Sequence, residues 1–291
     1  MNEKTETTRR SAIKAAAVGV LGALGAGTVR AEEKVAEARI KGNIKQSVCR
    51  WCYSKIPLDQ LAAEAKRMGF KSIDLLKPDE YTQIKATGLT CAMLTGISSI
   101  ENCLNRKDQH ERCEAAGRKL IDFAAAEGLP NVICFSGNRK GMSDDEGLEN
   151  CAIGLGRFIK YAEEKKVNIV MELLNSRVDH PDYMCDHTEW GVKLCKKLGS
   201  ERFKLLYDIY HMQIMEGNVI ETIKANKAYI AHYHTGGVPG RAEIDETQEL
   251  NYPAIMKTIL ETGYKGYVAQ EFIPKRDPLA SLQQSFTICD V

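Results

Sequence analysis

Four side chains able to bind a metal stand at the ends of short apolar segments in the second half of the chain: Glu172 in NIVMELLN, Asp208 in FKLLYDIYH, His234 in YIAHYHTGG and Glu271 in GYVAQEF. Three carboxylates and an imidazole make a mixed oxygen and nitrogen donor set. Such a set suits one hard to borderline divalent ion, with Mn, Mg, Co and Zn all acceptable, and it holds no thiolate that would select a softer metal. A lone carboxylate at a strand end is commonly a helix cap or a surface charge. Four ligand-type residues at matching positions in successive segments point instead to a metal site.

The intervals between them, 36, 26 and 37 residues, are each about the length of one strand, loop and helix. The four residues are therefore expected at one level of successive parallel strands, which in a (β/α)8 barrel is the catalytic face. The rest of the chain supports that architecture. Strand-like runs are predicted at Ile44 to Cys49, Lys71 to Leu76, Thr90 to Leu94, Val132 to Phe135, Val167 to Leu173, Phe203 to Tyr207, Ala228 to His232 and Tyr267 to Gln270. Helical patterns fall between them at Pro57 to Met68, from Pro78 to a stop at Gly88, Gln109 to Glu127, Asp144 to Lys165, Thr188 to Leu198, Val219 to Ala225 and Tyr252 to Thr262, with a last helix from Pro278. The strand runs lack strict alternation, as strands buried on both faces do. Eight such units in about 250 residues predict one α/β domain, a closed (β/α)8 TIM barrel, over residues 42–291. No GxGxxG follows the first strand, which removes the main support for a dinucleotide-binding sheet.

Residues 1–31 read as a cleavable twin-arginine signal: Thr8-Arg9-Arg10-Ser11-Ala12-Ile13-Lys14, then an Ala/Gly/Val/Leu run to Val29 and a small residue at Ala31. The run is shorter than the roughly 20 residues of a membrane span, so no stable membrane insertion is expected after processing. Residues 32–41 form a charged tether, and the mature protein is expected in the periplasm or otherwise exported. The whole chain carries 40 basic and 39 acidic residues, of which the signal holds five and two, leaving a net charge near −2. With no basic block, a nucleic-acid partner is not expected. Ten scattered cysteines, most in apolar contexts, read as buried thiols. Cys49-Arg50-Trp51-Cys52 is a CxxC with no second pair to complete a zinc site and no thioredoxin-like order around it.

The chain resembles the xylose isomerase-like sugar isomerase and epimerase superfamily, and within it the hydroxypyruvate isomerases, over roughly residues 42–290. The stretches that carry the resemblance are Tyr210-His211-Met212-Gln213-Ile214-Met215-Glu216-Gly217, Val238-Pro239-Gly240-Arg241 and Asn251-Tyr252-Pro253. The resemblance implies one divalent ion held by Glu172, Asp208, His234 and Glu271, with Glu172 and Glu271 also exchanging the substrate proton. It places His211 on a substrate hydroxyl. Hydroxypyruvate isomerases have Gln where this chain has His234, whereas the ketose epimerases of the superfamily have His.

From the residues themselves, Arg241 is a clamp for a substrate carboxylate or hydroxyl. Trp51 is an apolar wall. Glu243 and Arg177 are weaker candidates, Ser136-Gly137-Asn138 is explained as a turn, and His232 is assigned to the side opposite His234 and left out. The expected activity is carbonyl migration between adjacent carbons of a small hydroxycarbonyl compound or sugar through an enediolate. Alternatives are 3-epimerisation of a ketose, or an exported barrel that binds sugar or metal without turnover. The apurinic endonucleases that share the barrel need more ligands and a positive groove. Relatives often form homo-oligomers.

Overall fold

The structure, a computed structural model, describes residues 40–291. The predicted signal and almost all of the predicted tether lie outside the described residues. Among the described residues, no helix is long and apolar enough to cross a membrane.

Among the described residues, seven parallel strands form a curled sheet in the order β2-β1-β7-β6-β5-β4-β3. They are β1 (Lys45–Cys49), β2 (Ser72–Asp74), β3 (Asn131–Cys134), β4 (Asn168–Glu172), β5 (Phe203–Asp208), β6 (Ile230–Thr235) and β7 (Tyr267–Gln270). Ten α-helices of the described residues connect or flank them: α1 (Leu58–Met68), α2 (Pro78–Ile84), α3 (His110–Glu127), α4 (Asp144–Gly156), α5 (Ile159–Lys165), α6 (Thr188–Leu198), α7 (Ile209–Met215), α8 (Val219–Asn226), α9 (Tyr252–Glu261) and α10 (Pro278–Cys289). The strands are buried almost end to end, as a sheet covered by helices requires. Lys41 and Gly42, ahead of β1, are tied to the residue after α10, since their amides donate to the Asp290 carboxylate.

The predicted strand at Thr90 to Leu94 is not a continuous strand. It fills the gap between β2 and β3 through isolated parallel bridges, Ser72 with Thr90, Leu76 with Leu94 and Leu94 with Val132. The cause lies at Ala92. Its N–H donates to the Ser72 hydroxyl at 2.7 Å and its carbonyl accepts from the Asn131 side-chain amide at 2.8 Å. Side chains thus intercept the two groups that a strand ladder would use.

Two other predicted elements need correction. Asp144 to Lys165 is two helices, broken where the buried Phe158 leaves helical geometry. The Phe158 ring packs on Gly117 of α3, where an added Cβ would lie 3.0 Å from it. Strand β6 also runs to Thr235, so His234 lies within it rather than beyond its end. The pairing of β5 with β6 slips between Leu205 and Leu206, and this aligns Asp208 with His234.

Candidate active site

Ligand-type atoms of Glu172, Asp208, His234 and Glu271 all lie within 4.8 Å of one another, and all four residues are buried. Each sits at or next to the C-terminal end of β4, β5, β6 or β7. Asp208 has a second duty: it is the N-cap of α7, where its Oδ1 accepts from the His211 backbone N–H at 3.2 Å.

His234 is the hub of the group. Its Nδ1 is 2.6 Å from Glu271 Oε2 and 3.4 Å from Glu172 Oε1. Arg241 enters from the loop after β6, with Nη2 2.9 Å from Asp208 Oδ2 and 2.5 Å from Glu271 Oε2. Its guanidinium also lies against the Trp51 and Tyr210 rings, 5.3 and 5.2 Å from their centres. Trp51 Nε1 donates to Glu271 Oε1 at 2.5 Å, so the indole braces the carboxylate as well as forming a wall.

Burial pushes the Asp208 carboxyl up to about 8, against the pull of Arg241. Burial raises Glu172 as well, reinforced by the Glu271 charge. Glu271 goes the other way: burial would raise it, but Arg241, His234 and the Trp51 N–H together hold it well below the usual carboxylate range. Two glutamates at one imidazole are thereby moved in opposite directions, a pattern typical of acid and base pairs.

The donor set fits a divalent ion. Among the described residues, the three buried carboxylates meet one guanidinium, Arg241, and one imidazole, His234, and Glu172 Oε1 is buried with no hydrogen-bond partner. A cation held by these oxygens and by His234 Nδ1 would satisfy both the orphaned atom and the excess negative charge.

His211 is fully buried, and its orientation is settled by Asn175. The Asn175 side-chain carbonyl accepts from the backbone N–H groups of Val178 and Asp179, which leaves its NH2 to donate to His211 Nδ1 at 2.7 Å. Nδ1 is thus an acceptor, and the proton stands on Nε2. Nε2 has no hydrogen-bond partner and lies 3.7 Å from Asp208 Oδ2. Burial, followed by the nearby Arg241 charge, keeps the ring neutral by lowering its pKa well below the ordinary value. The site therefore presents a neutral imidazole N–H donor beside the carboxylates.

A cavity of ≈ 380 Å³ adjoins this group, bordered by Trp51, Asp179, His180, Tyr210, Ile214 and Arg241 among others. Arg241 stands at the boundary between the cavity and the carboxylates. Of the weaker candidates, Arg177 donates to the Ile214 carbonyl. Glu243 anchors the loop after β7 by accepting from the Lys275 and Arg276 backbone N–H groups and the Ser281 hydroxyl. Neither joins the ligand group. All ten cysteines are free thiols.

His232 is a correction. Residues two apart on a strand share a face, and its ring lies 5.1 Å from that of His234 rather than opposite it. It meets Asp74, at the end of β2, which the sequence reading did not single out. Neither Asn175 nor Asp179 is marked by a motif of the sequence, and Tyr210 opens a stretch that carries the family resemblance but has no role assigned from it. They sit in loops or in the short α7, where neither periodicity nor strand-end placement marks them.

The chain matches the xylose isomerase-like TIM barrel family over residues 62–287. It is 29% identical over 242 residues to the 2-oxo-tetronate isomerase of Cupriavidus necator, covering 77% of this chain and 90% of that one. It is 29% identical over 182 residues to the hydroxypyruvate isomerase of Escherichia coli, covering 62% of this chain and 69% of that protein. Among solved structures, the family 2 AP endonuclease of Brucella melitensis superposes with a TM-score of 0.73 at 20% identity, over 82% of this chain and 97% of that one; this likeness shows the fold alone. With the curled parallel sheet and the ligand-type residues at its strand ends already in view, the match over most of the chain places it: this protein belongs to the xylose isomerase-like TIM barrel family.

Proposed function

We propose that this chain is a divalent-metal-dependent isomerase that moves a carbonyl between adjacent carbons of a small hydroxycarbonyl compound through an enediolate. The observation that carries the reading is the pair of buried glutamates, Glu172 and Glu271, both directed at His234 Nδ1 and displaced in opposite senses from ordinary carboxylate behaviour. Carbonyl migration needs one group to take a carbon-bound proton and another to return a proton to the neighbouring carbon. The isomerase names of the two curated relatives support the same class, with hydroxypyruvate and 2-oxo-tetronate as the first substrates to try.

Glu172, Asp208, His234 and Glu271 would hold a divalent ion, whose Lewis acidity at the substrate's carbonyl and hydroxyl oxygens would acidify the adjacent C–H. The His211 Nε2–H donates to a substrate oxygen. Arg241 serves a carboxylate or hydroxyl at the cavity boundary, which requires it to exchange at least one of its present carboxylate partners for the substrate. Trp51 excludes water from one side of the reacting carbons while bracing Glu271.

Incubation of the protein with Mn or Mg and each candidate substrate in deuterated water, followed by NMR, tests the reading. Deuterium entering the substrate and a shifted carbonyl are expected, both abolished by Glu271→Gln. Exchange with inversion at one carbon and no carbonyl shift would favour a ketose 3-epimerase, the reading that His234 supports. Metal binding without exchange across hydroxypyruvate, 2-oxo-tetronate and free ketoses would leave a non-catalytic binding barrel. The twin-arginine pattern at Arg9-Arg10 supports export to the periplasm. A fusion of residues 1–41 to a reporter, compared with the Arg9→Lys, Arg10→Lys version, tests that step.

A further inference from the structure

We infer that Asp74, with His232, is a positioning pair that fixes which nitrogen of His234 faces the metal site. The inference rests on the reading of Glu172, Asp208, His234 and Glu271 as metal ligands. Asp74 closes β2, on the far side of β1 and β7 from His234 in the sheet order, and the curl of the barrel brings it beneath the ligand group. Its side chain is wholly buried, as are those of His232 and His234.

The Asp74 carboxylate is held at both oxygens. Oδ1 accepts from the Ser47 hydroxyl at 2.5 Å and lies 3.4 Å from the Ser72 hydroxyl. Oδ2 lies 2.5 Å from His232 Nε2 and 3.5 Å from His234 Nε2. The other side of the His234 ring carries Nδ1, which faces Glu271 and Glu172. One imidazole therefore spans two acidic environments.

A neutral imidazole carries one proton, and a nitrogen that ligates a metal must present its lone pair. With Nδ1 turned to the ligand group, the proton belongs on Nε2, and Asp74 Oδ2 is the carboxylate there to accept it. The Cys49 thiol lies 3.8 Å from the same nitrogen. His232 uses the same Asp74 oxygen and so fixes the carboxylate's rotation. Carboxylates that accept from a ligating histidine in this way orient the ring, and their loss weakens metal binding about 10–100-fold.

The test uses the folded barrel loaded with Zn or Mn. In the wild-type Zn protein, nitrogen-15 NMR of the histidines should show His234 protonated at Nε2 and metal-bound at Nδ1; the opposite tautomer would overturn the proposal without any variant. Asp74→Asn should bind Mn about 10–100-fold more weakly by calorimetry, while circular dichroism and the Glu172 side of the site stay intact. Unchanged affinity would overturn it. So would loss of a second equivalent of metal, which would mean that Cys49, Asp74 and His234 themselves hold an ion. If Asp74→Asn does not fold, the wild-type NMR measurement decides the matter. A wild-type protein that takes up no metal would instead sink the reading of the site on which this inference rests.

Discussion

The Arg241 guanidinium and the Asp208 carboxyl lie 2.9 Å apart inside the mouth of the barrel, and the same guanidinium nitrogen reaches Glu271. A guanidinium beside two candidate metal ligands competes with a metal for their charge. Arg241→Ala leaves those buried carboxylates short of a counter-ion, a loss of roughly 3–5 kcal/mol, or about 10 °C in Tm for a domain of this size. That loss should appear in the presence of a chelator and be largely recovered with excess Mn. Thermal melts with and without Mn check it: a metal-induced rise no larger than in the wild type would show that arginine and metal do not share these oxygens.

The two glutamates should fail in kind rather than in degree. Glu172→Gln and Glu271→Gln are each expected to lower solvent deuterium exchange into substrate by about 10²–10⁴-fold. Each also removes a metal ligand, so rates must be compared at saturating Mn, with occupancy measured by metal analysis. A variant that keeps exchange within tenfold of the wild type at full occupancy would remove that glutamate from the proton-transfer pair.

Gly237 controls the approach of the loop that delivers Arg241. An added Cβ would lie 2.2 Å from the Glu243 carbonyl oxygen, and Gly237 pairs with Ala242 in an antiparallel bridge. Backbone cannot yield as a side-chain tip can, so Gly237→Ala should cost about 1–3 kcal/mol and raise KM by displacing Arg241. Gly156→Ala is the control: nothing lies within 4 Å of its added Cβ, and the change should be neutral or mildly stabilising. Equal effects in the two variants, by differential scanning calorimetry and kinetics, would contradict this account.

Acid should weaken the loops around Asp186. Burial opposes its ionisation, but Arg139, Ser176 and His187 together lower its pKa. A lowered carboxylate pKa contributes stability that is fully present above the unfolded value of about 3.9 and is lost as pH falls through the folded value. Arg139→Leu is expected to lose ~2 kcal/mol at neutral pH, and its gap from the wild type should close below about pH 4. A gap that stays constant from pH 7 to pH 3 in denaturant titrations would mean that this carboxylate is not what the arginine stabilises.

The sequence made the barrel and the ligand set legible because both rest on repetition. Buried parallel strands are apolar runs, and one polar residue at the end of each run stands out, as Glu172, Asp208 and Glu271 do. Asp74 also ends a strand, yet it lies in the first half of the chain, and only closure of the sheet brings it near His234. Nothing local announces that contact. His232 was misplaced for a simpler reason, a strand period of two read as an alternation between His232 and His234. The break at Phe158 and the interruption at Ala92 come from partners distant in sequence, Gly117 for one and Asn131 for the other.

That interruption gives the barrel an uneven rim. Between β2 and β3 the cylinder is closed by a stave whose backbone bonds to its neighbours fall at Thr90 and again at Met93 to Thr95, with Ser72 and Asn131 acting as side-chain rivets between them at Ala92. Breathing of the wall should begin there. Amide protons of Ala92 and Leu94 are expected to trade with solvent deuterium sooner than those of Leu206 or Tyr233, whose strands pair over longer stretches. Ser72→Ala should widen the difference. Uniform protection around the wall would mean that two side chains rivet a barrel as well as a full ladder does.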